Sequence, residues 1–427
     1  MTMRLSCVAC ISSVLFALLP VAIGQNAPSI KTAAPGSVPK LPIPSGQYGV
    51  GRAGFDWTDT KRRDLLDPEH ARELMVYLWY PTDRSTANTK GIYLPGARQM
   101  DEQPEIQRRM QGDFGSKWPL IVSGDIYSHA VERAPVAKTP ARLPLVVFSH
   151  GVGGTSFGYT WLIENLVSHG YIVAAIEHTG TAVTVWFPDG RLVPFREAPV
   201  SANSSPSDQM RQRMQMISAG IAEGADDVRF VLDRITELNK TGAEQFLLKG
   251  RIDLSRFAAM GHSAGAEFAA RACQLDDRLK ACIDLDGAMV PFAALPIYPD
   301  HKTMKQPLLF LEAYHPPSQM GGPPDQLNEF FRVKENQLTT CCPAGTYDVT
   351  IKSPGIAHPS FSDMPVLFAG EDGYPAPELV SHNIDLIEKF VLAFLDNNLT
   401  SAQKSNVFDS PGLETEIKPY GPPHSPN

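Results

Sequence analysis

The segment Arg256-Phe257-Ala258-Ala259-Met260-Gly261-His262-Ser263-Ala264-Gly265-Ala266 decides how the chain is read. A short apolar strand runs straight into a G-x-S-x-G pattern, and small residues follow it, with further alanines at 269 and 270. A serine that must project from a sharp strand-to-helix turn needs neighbours without bulk. The alanines would let the next helix pack closely on the strand it leaves. Ser263 is therefore the expected nucleophile. A second match, Gly154-Thr155-Ser156-Phe157-Gly158, lacks this setting. The strand before it ends near His150, and bulky Phe157, Tyr159 and Trp161 stand where small residues are needed. Ser156 reads as a loop serine.

Outward from that segment, short apolar runs alternate with helical patterns, which signals βαβ units and a mostly parallel sheet. Strands are expected at Leu74 to Tyr80, Leu143 to Ser149, Tyr171 to Ile176, Arg256 to Met260, Ala281 to Leu285, Leu308 to Leu311 and Tyr347 to Ile351. The run Leu143 to Ser149 is apolar throughout, as suits a strand buried on both faces. Helical spacing marks Tyr159 to Ser168, residues 207–238, and a last helix carrying Ile384, Ile387, Phe390, Val391, Phe394 and Leu395. Residues 97–140 are polar and broken by Gly and Pro, and no fold is placed on them. The sum is one doubly wound α/β domain over 48–400, with helices on both faces of the sheet. Residues 25–47 read as a Pro-rich, poorly ordered lead-in and 401–427 as a Pro-rich flexible tail.

The chain order nucleophile, acid, base guides the search for partners. Cys282-Ile283-Asp284-Leu285-Asp286-Gly287 is the strand after the serine's helix, and it ends in a carboxylate. Asp286, at the strand exit, is the expected acid. Asp284, two residues deeper, is the runner-up. His358, in the late loop Ser353 to Phe361, is the expected base. His150, His178, His262, His301, His315 and His382 are its weaker competitors by position or order. The glycine-rich turn His150-Gly151-Val152-Gly153-Gly154 ends an earlier strand and can aim backbone N–H groups at one spot. The expected oxyanion donors are the Val152 and Ala264 N–H groups, and loss of one such donor typically costs about 3–4 kcal/mol of barrier.

The chain has 427 residues, with 38 Lys+Arg against 46 Asp+Glu and 43% hydrophobic residues. The net charge of −8 argues against a nucleic-acid partner, which demands a basic footprint. Residues 1–24 read as a signal peptide: Arg4, an apolar run from Leu5 to Ile23, then Ala22-Ile23-Gly24 as a small-residue exit. The expectation is a secreted chain cut near Gly24. A membrane anchor is the competing reading of that run. Four cysteines would remain, Cys273, Cys282, Cys341 and Cys342, and they allow three pairings. Sequons at Asn203, Asn239 and Asn398 suit glycosylation in an oxidising secretory route. No CxxC or His-rich spacing suggests a metal, and no cofactor is expected.

With these motifs placed, the chain resembles the platelet-activating factor acetylhydrolase family, in its secreted and intracellular type II branch. The resemblance runs over about residues 45–395. It includes Leu145 to Gly151, Val173 to His178, Ile252-Asp253, Gly261-His262-Ser263, Leu285-Asp286 with Met289 and Pro291, Pro307-Leu308, and Gly355 to Phe361 with Asp363. The resemblance implies an α/β-hydrolase with Ser263, Asp286 and His358 as triad and Val152 and Ala264 as backbone donors. It implies calcium-independent release of short acyl groups from the sn-2 position of ether or oxidised phospholipids. The chain departs from the pattern where the family often carries a bulky aromatic after the nucleophile, here Ala264, and a Trp after the acid, here Gly287-Ala288. The span from Asp286 to His358 is long and contains a Gly/Pro segment, Pro316 to Pro324. These positions line the acyl side of such sites.

Val185-Trp186-Phe187 and Phe330-Phe331 are apolar groups in connecting segments, and offer a lipid-surface contact or ordinary packing. Two other functions compete: a secreted carboxylesterase, lipase or polyester hydrolase on the same fold, and a non-catalytic binding protein on that scaffold.

Overall fold

A computed structural model describes residues 38–83, 90–197, 205–243, 246–287, 303–316, 332–342 apart from 333, 337 and 341, 343–400 and 404–421. Fourteen strands are formed among them: β1 Gly49–Arg63, β2 Ala71–Thr82, β3 Gly91–Ile92, β4 Tyr127–Ser128, β5 Val131–Glu132, β6 Leu143–Ser149, β7 Ile172–Glu177, β8 Thr184–Trp186, β9 Leu192–Pro194, β10 Ile252–His262, β11 Leu279–Leu285, β12 Leu308–Ala313, β13 Thr346–Ile351 and β14 Thr415–Tyr420. Ten make one sheet in the order β14-β13-β12-β11-β10-β6-β7-β2-β1-β5. Its centre, β13 through β7, is parallel, while β14 and β2 run antiparallel to their neighbours.

The apolar runs form the central strands because both faces are covered. On one face, helix Pro206–Thr241 sets Val228, Val231, Leu232, Ile235 and Leu238 against Leu145, Val147, Phe257 and Ala259. On the other, helices Thr160–Ser168 and Pro377–Leu399 cover Val146, Phe148, Met260 and Ile283. The architecture is thus the expected doubly wound α/β domain.

Three expectations differ from the structure. Residues 97–140 are not featureless: Ala97–Asp101, Pro104–Phe114 and Trp118–Ser123 are helices that bury Met100, Met110, Phe114 and Trp118. The tail from 401 is not wholly flexible, because Thr415–Tyr420 pairs antiparallel with β13 and covers that edge. Its Pro419 lies on the outermost strand, the place in a sheet where a missing N–H is tolerated. The first strand was hidden as well. β1 is long, exposes alternate residues beyond Ala53, and carries too many polar groups to read as an apolar run. Residues 1–37, which contain the expected leader and most of the lead-in, lie outside the described residues.

A buried ionic cluster fixes the end of β6. Arg72 reaches Asp64 at 2.7 Å and Asp227 at 2.6 Å, and Asp227 also accepts from His178 Nδ1 at 2.9 Å. His178 Nε2 then lies 2.9 Å from Ser149 Oγ, the last residue of β6. Each charge has a partner of opposite sign, as burial demands. The glycine turn that follows Ser149 therefore starts from a fixed point. Among the described residues no helix is long and apolar enough to cross a membrane.

Candidate active site

The elbow is built by close approach. Ser263 has φ 55° and ψ −127°, a region that costs a non-glycine residue about 1–3 kcal/mol. Its flanking glycines permit this. A Cβ on Gly261 would come within 2.1 Å of the Gly265 carbonyl oxygen, and one on Gly265 within 2.2 Å of the Ser149 oxygen. The Ser263 N–H donates to the Leu285 carbonyl at 3.0 Å, locking the turn to the strand that leads to the acid. Its Oγ does not cap the helix Ala264–Leu275 that follows, which leaves it available.

Asp286 sits at the exit of β11 with φ 50°, its backbone N–H donating to Leu311 at 2.9 Å. The carboxylate accepts from Ala313 N–H at 2.9 Å, from His315 Nε2 at 2.9 Å and from His358 Nδ1 at 2.6 Å. Burial alone would raise its pKa, but the two imidazoles hold this carboxyl well below the usual carboxylate range. Asp284, the runner-up, points elsewhere. It is fully buried, accepts from Gly287 N–H at 2.7 Å, and burial drives its pKa well up. Asp286 is thus the carboxylate that meets an imidazole.

His358 begins a 3-10 turn, His358–Phe361, and its half-exposed ring leaves Nε2 free of the acid. The loop is tied down at Asp363. That buried carboxylate accepts from Tyr93 Oη at 2.8 Å and from the Thr160 and Trp161 N–H groups at 3.1 Å, at the N-terminus of helix Thr160–Ser168. Burial raises its pKa to about 7, against the pull of these donors, and the helix dipole favours whatever charge it carries.

The glycine turn is set by His150. Its Nδ1 donates to the Gly151 carbonyl at 2.8 Å, which also accepts from Gly154 N–H at 3.0 Å. In a trans peptide the next N–H points the opposite way, so the Val152 N–H faces away from both donors. Neither it nor the Ala264 N–H has a protein acceptor among the described residues. The turn lies against Ser263, since a Cβ on Gly151 would come within 3.2 Å of Ser263 Cβ. Burial lowers the pKa of His150 to about 3, so it stays neutral and keeps this tautomer.

Ligand atoms of His262, Asp286 and His358 lie within 4.8 Å of one another, a spacing a metal could use. His262 Nε2, however, faces the His358 carbonyl at 3.0 Å and so carries a proton, and His358 Nδ1 is engaged by Asp286. The group is a hydrogen-bonded one.

Other sequence expectations fall away from the site. Ser156 is buried, with its Oγ and N–H both on Glu177 Oε1, and is structural as expected. Asn239 is 7% exposed and its Nδ2, the atom a glycan would need, donates to Ile252 O at 3.2 Å. Asn398 lies inside a helix with Nδ2 on Phe394 O at 2.8 Å. Both side-chain amides are hydrogen-bonded in the folded chain, and Asn203 lies outside the described residues. Cys273 and Cys282 are buried free thiols, which overturns every two-bridge pairing of the four cysteines, and Cys341 lies outside the described residues. Val185 and Phe187 are buried and the partly buried Trp186 packs over Gly96, as the packing reading expects; Phe330 and Phe331 lie outside the described residues.

Sequence reasoning set aside Tyr159, His262 and His315, all of which touch this group. Only His262 had a signal, as the central residue before the nucleophile in the motif. Replacing Gly265 with alanine drives a methyl into two carbonyl oxygens. The expected outcome is a loss of at least about 2 kcal/mol in urea unfolding, with hydrolysis falling further than stability. An unchanged midpoint would contradict this packing.

The comparisons agree with the geometry. A family model described as platelet-activating factor acetylhydrolase, isoform II, matches residues 35–411. The platelet-activating factor acetylhydrolase of Cavia porcellus is 26% identical over 387 residues, covering 84% of this chain and 78% of that protein. The Canis lupus familiaris protein of the same name is 25% identical over 397 residues, covering 87% and 80%. Among solved structures, a ferulic acid esterase from Streptomyces cinnamoneus superposes with a TM-score of 0.63 at 26% identity, over 89% of this chain and 99% of its own. The chain is an ester hydrolase of the α/β-hydrolase fold and belongs to the platelet-activating factor acetylhydrolase family.

Proposed function

We propose that the chain is a secreted serine esterase that releases the short sn-2 acyl group, acetyl above all, from platelet-activating-factor-like ether or oxidised phospholipids. Ser263 is the nucleophile, His358 the base and Asp286 the acid. The observation that carries this reading is the 2.6 Å contact of Asp286 with His358 Nδ1, on a loop whose carbonyl is bonded to the residue before Ser263.

His358 Nε2 removes the Ser263 proton as Oγ attacks the ester carbonyl. Asp286, ionised because its donors favour the charged form, holds Nδ1–H and stabilises the imidazolium. The carbonyl oxygen gains charge opposite the Val152 and Ala264 N–H groups. The protonated imidazole gives its proton to the leaving alcohol, and the lyso product departs. Water, deprotonated by the same ring, then attacks the acyl-enzyme and restores Ser263. No metal is assigned a step. Export through the leader at 1–24 completes the reading.

Fluorophosphonate labelling tests the nucleophile. Ser263→Ala is expected to abolish labelling and hydrolysis of p-nitrophenyl acetate, while Ser156→Ala, if folded, keeps its nucleophile. Labelling that survives in Ser263→Ala would refute the assignment.

A second reading has its own support. Ala264 and Gly287 stand where the family often carries aromatic residues, and the ferulic acid esterase likeness spans nearly that whole protein. An aromatic acyl group is the substrate this reading expects. Comparing kcat/KM on 2-acetyl phospholipid, long-chain phospholipid and methyl ferulate decides between them. The phospholipid reading expects the 2-acetyl ester to lead by at least about tenfold, and a lead for methyl ferulate would replace it.

His315 gives a pH signature. Its ring is bonded to Asp286, and Asp286 with Glu312 raises its pKa, against Lys334. A cation there offsets part of the carboxylate charge felt by His358. In His315→Gln the imidazolium of His358 is better stabilised, so the acid limb of kcat/KM is expected to move to higher pH. A limb that stays or moves lower would show that His315 carries no charge in that range.

A further inference from the structure

Tyr159 and His262 join the two halves of the site. The Gly151 N–H donates to Tyr159 Oη at 3.3 Å, and Tyr159 Oη lies 2.8 Å from His262 Nδ1. On its other side, His262 Nε2 lies 3.0 Å from the His358 carbonyl oxygen. A carbonyl can only accept, so Nε2 carries the ring proton, Nδ1 is the acceptor, and the phenol donates to it. The direction of every bond is thereby fixed: Gly151 N–H to Tyr159, Tyr159 O–H to His262, His262 N–H to His358. The neutral ring that this requires is kept so by burial, which lowers the His262 pKa to about 3.

The thread runs between two segments that are far apart in sequence. Gly151 precedes Val152, whose N–H is the first oxyanion donor of the proposed mechanism. His358 is the proposed base. Both ends bear on the catalytic groups, but neither Tyr159 nor His262 is assigned a proton transfer. The rings also pack: His262 lies 4.4 Å from His358 and Tyr159 4.9 Å from Phe148, centroid to centroid. Packing alone, however, would not orient four polar groups in one sense. Aliphatic residues at these positions would fill the space and leave the Gly151 N–H and the His358 carbonyl unpaired.

We propose that Tyr159 and His262 are positioning residues that couple the oxyanion turn to the base loop, so that the Val152 N–H and the His358 ring hold their places together. This rests on the triad reading, and the experiment separates the two. Three variants, Tyr159→Phe, His262→Gln and His262→Phe, are compared with Ser263→Ala by steady-state hydrolysis of p-nitrophenyl acetate, fluorophosphonate labelling rate and thermal unfolding. Tyr159→Phe keeps the ring and removes one oxygen. It is expected to lower kcat by about 10-fold or more, with KM within about twofold and labelling slowed in parallel.

His262→Gln can still offer an N–H to the His358 carbonyl, and is expected to retain several-fold more kcat than His262→Phe. Combining Tyr159→Phe with His262→Phe should cost little beyond His262→Phe alone, because both cut one thread. Folded Tyr159→Phe with wild-type kcat, a loss confined to KM, or additive losses in the double variant would overturn the proposal. If His262→Phe does not fold, Tyr159→Phe decides alone. Persistent labelling of Ser263→Ala would instead overturn the triad reading.

Discussion

The site depends on how closely two backbones approach at the end of β10. Gly265 lies against the Ser149 and His150 carbonyls, and Gly261 against the Gly265 carbonyl, at distances that exclude any side chain. That contact brings the glycine turn after β6 up to Ser263 and holds Ser263 at positive φ. The strain is local, and the neighbouring strands bear it. Gly261 is paired with both Ser149 and Asp284, so the turn cannot relax without breaking the centre of the sheet. The proposed oxyanion donors, nucleophile and acid are set at one rim by the register of β6, β10 and β11.

Around this rim lie three buried imidazoles. His178 lies between Asp227 and Ser149, His150 fixes the Gly151 carbonyl, and His262 reaches the His358 carbonyl. Burial lowers the pKa of each, which opposes protonation and preserves one tautomer. A neutral imidazole has one donor and one acceptor at opposite ends. It can therefore orient a peptide on one side while being oriented from the other. His358 and His315 instead both face Asp286, where an imidazolium gains a carboxylate.

What the sequence revealed follows from how local each signal is. Ser263 was legible because a turn with no room for side chains needs its glycines and alanines next to the serine in the chain. The central strands were legible because burial on both faces leaves only apolar residues. β1 and β14 were not, since one-sided or edge strands keep polar residues and, at Pro419, a proline. The helices within 97–140 are preceded by Gly96 or carry Pro104 or Pro119 in their first turn, so their punctuation resembles a loop. Asp286 and His358 were reachable only through the order of elements.

Tyr159 and His315 were beyond such reasoning, because their roles consist of contacts across 103 and 29 positions of sequence. Tyr159 was in fact counted as bulk that disqualifies the Ser156 pattern. The same bulk is what lets one side chain, leaving the start of the helix after β6, span from Gly151 to His262. On the proposed coupling, the aromatic that spoils a false elbow serves the true one. An oxyanion donor and a base drawn from separate loops need a rigid link if they are to act on one substrate atom, and the proposed link is a single phenol oxygen between an amide and a ring.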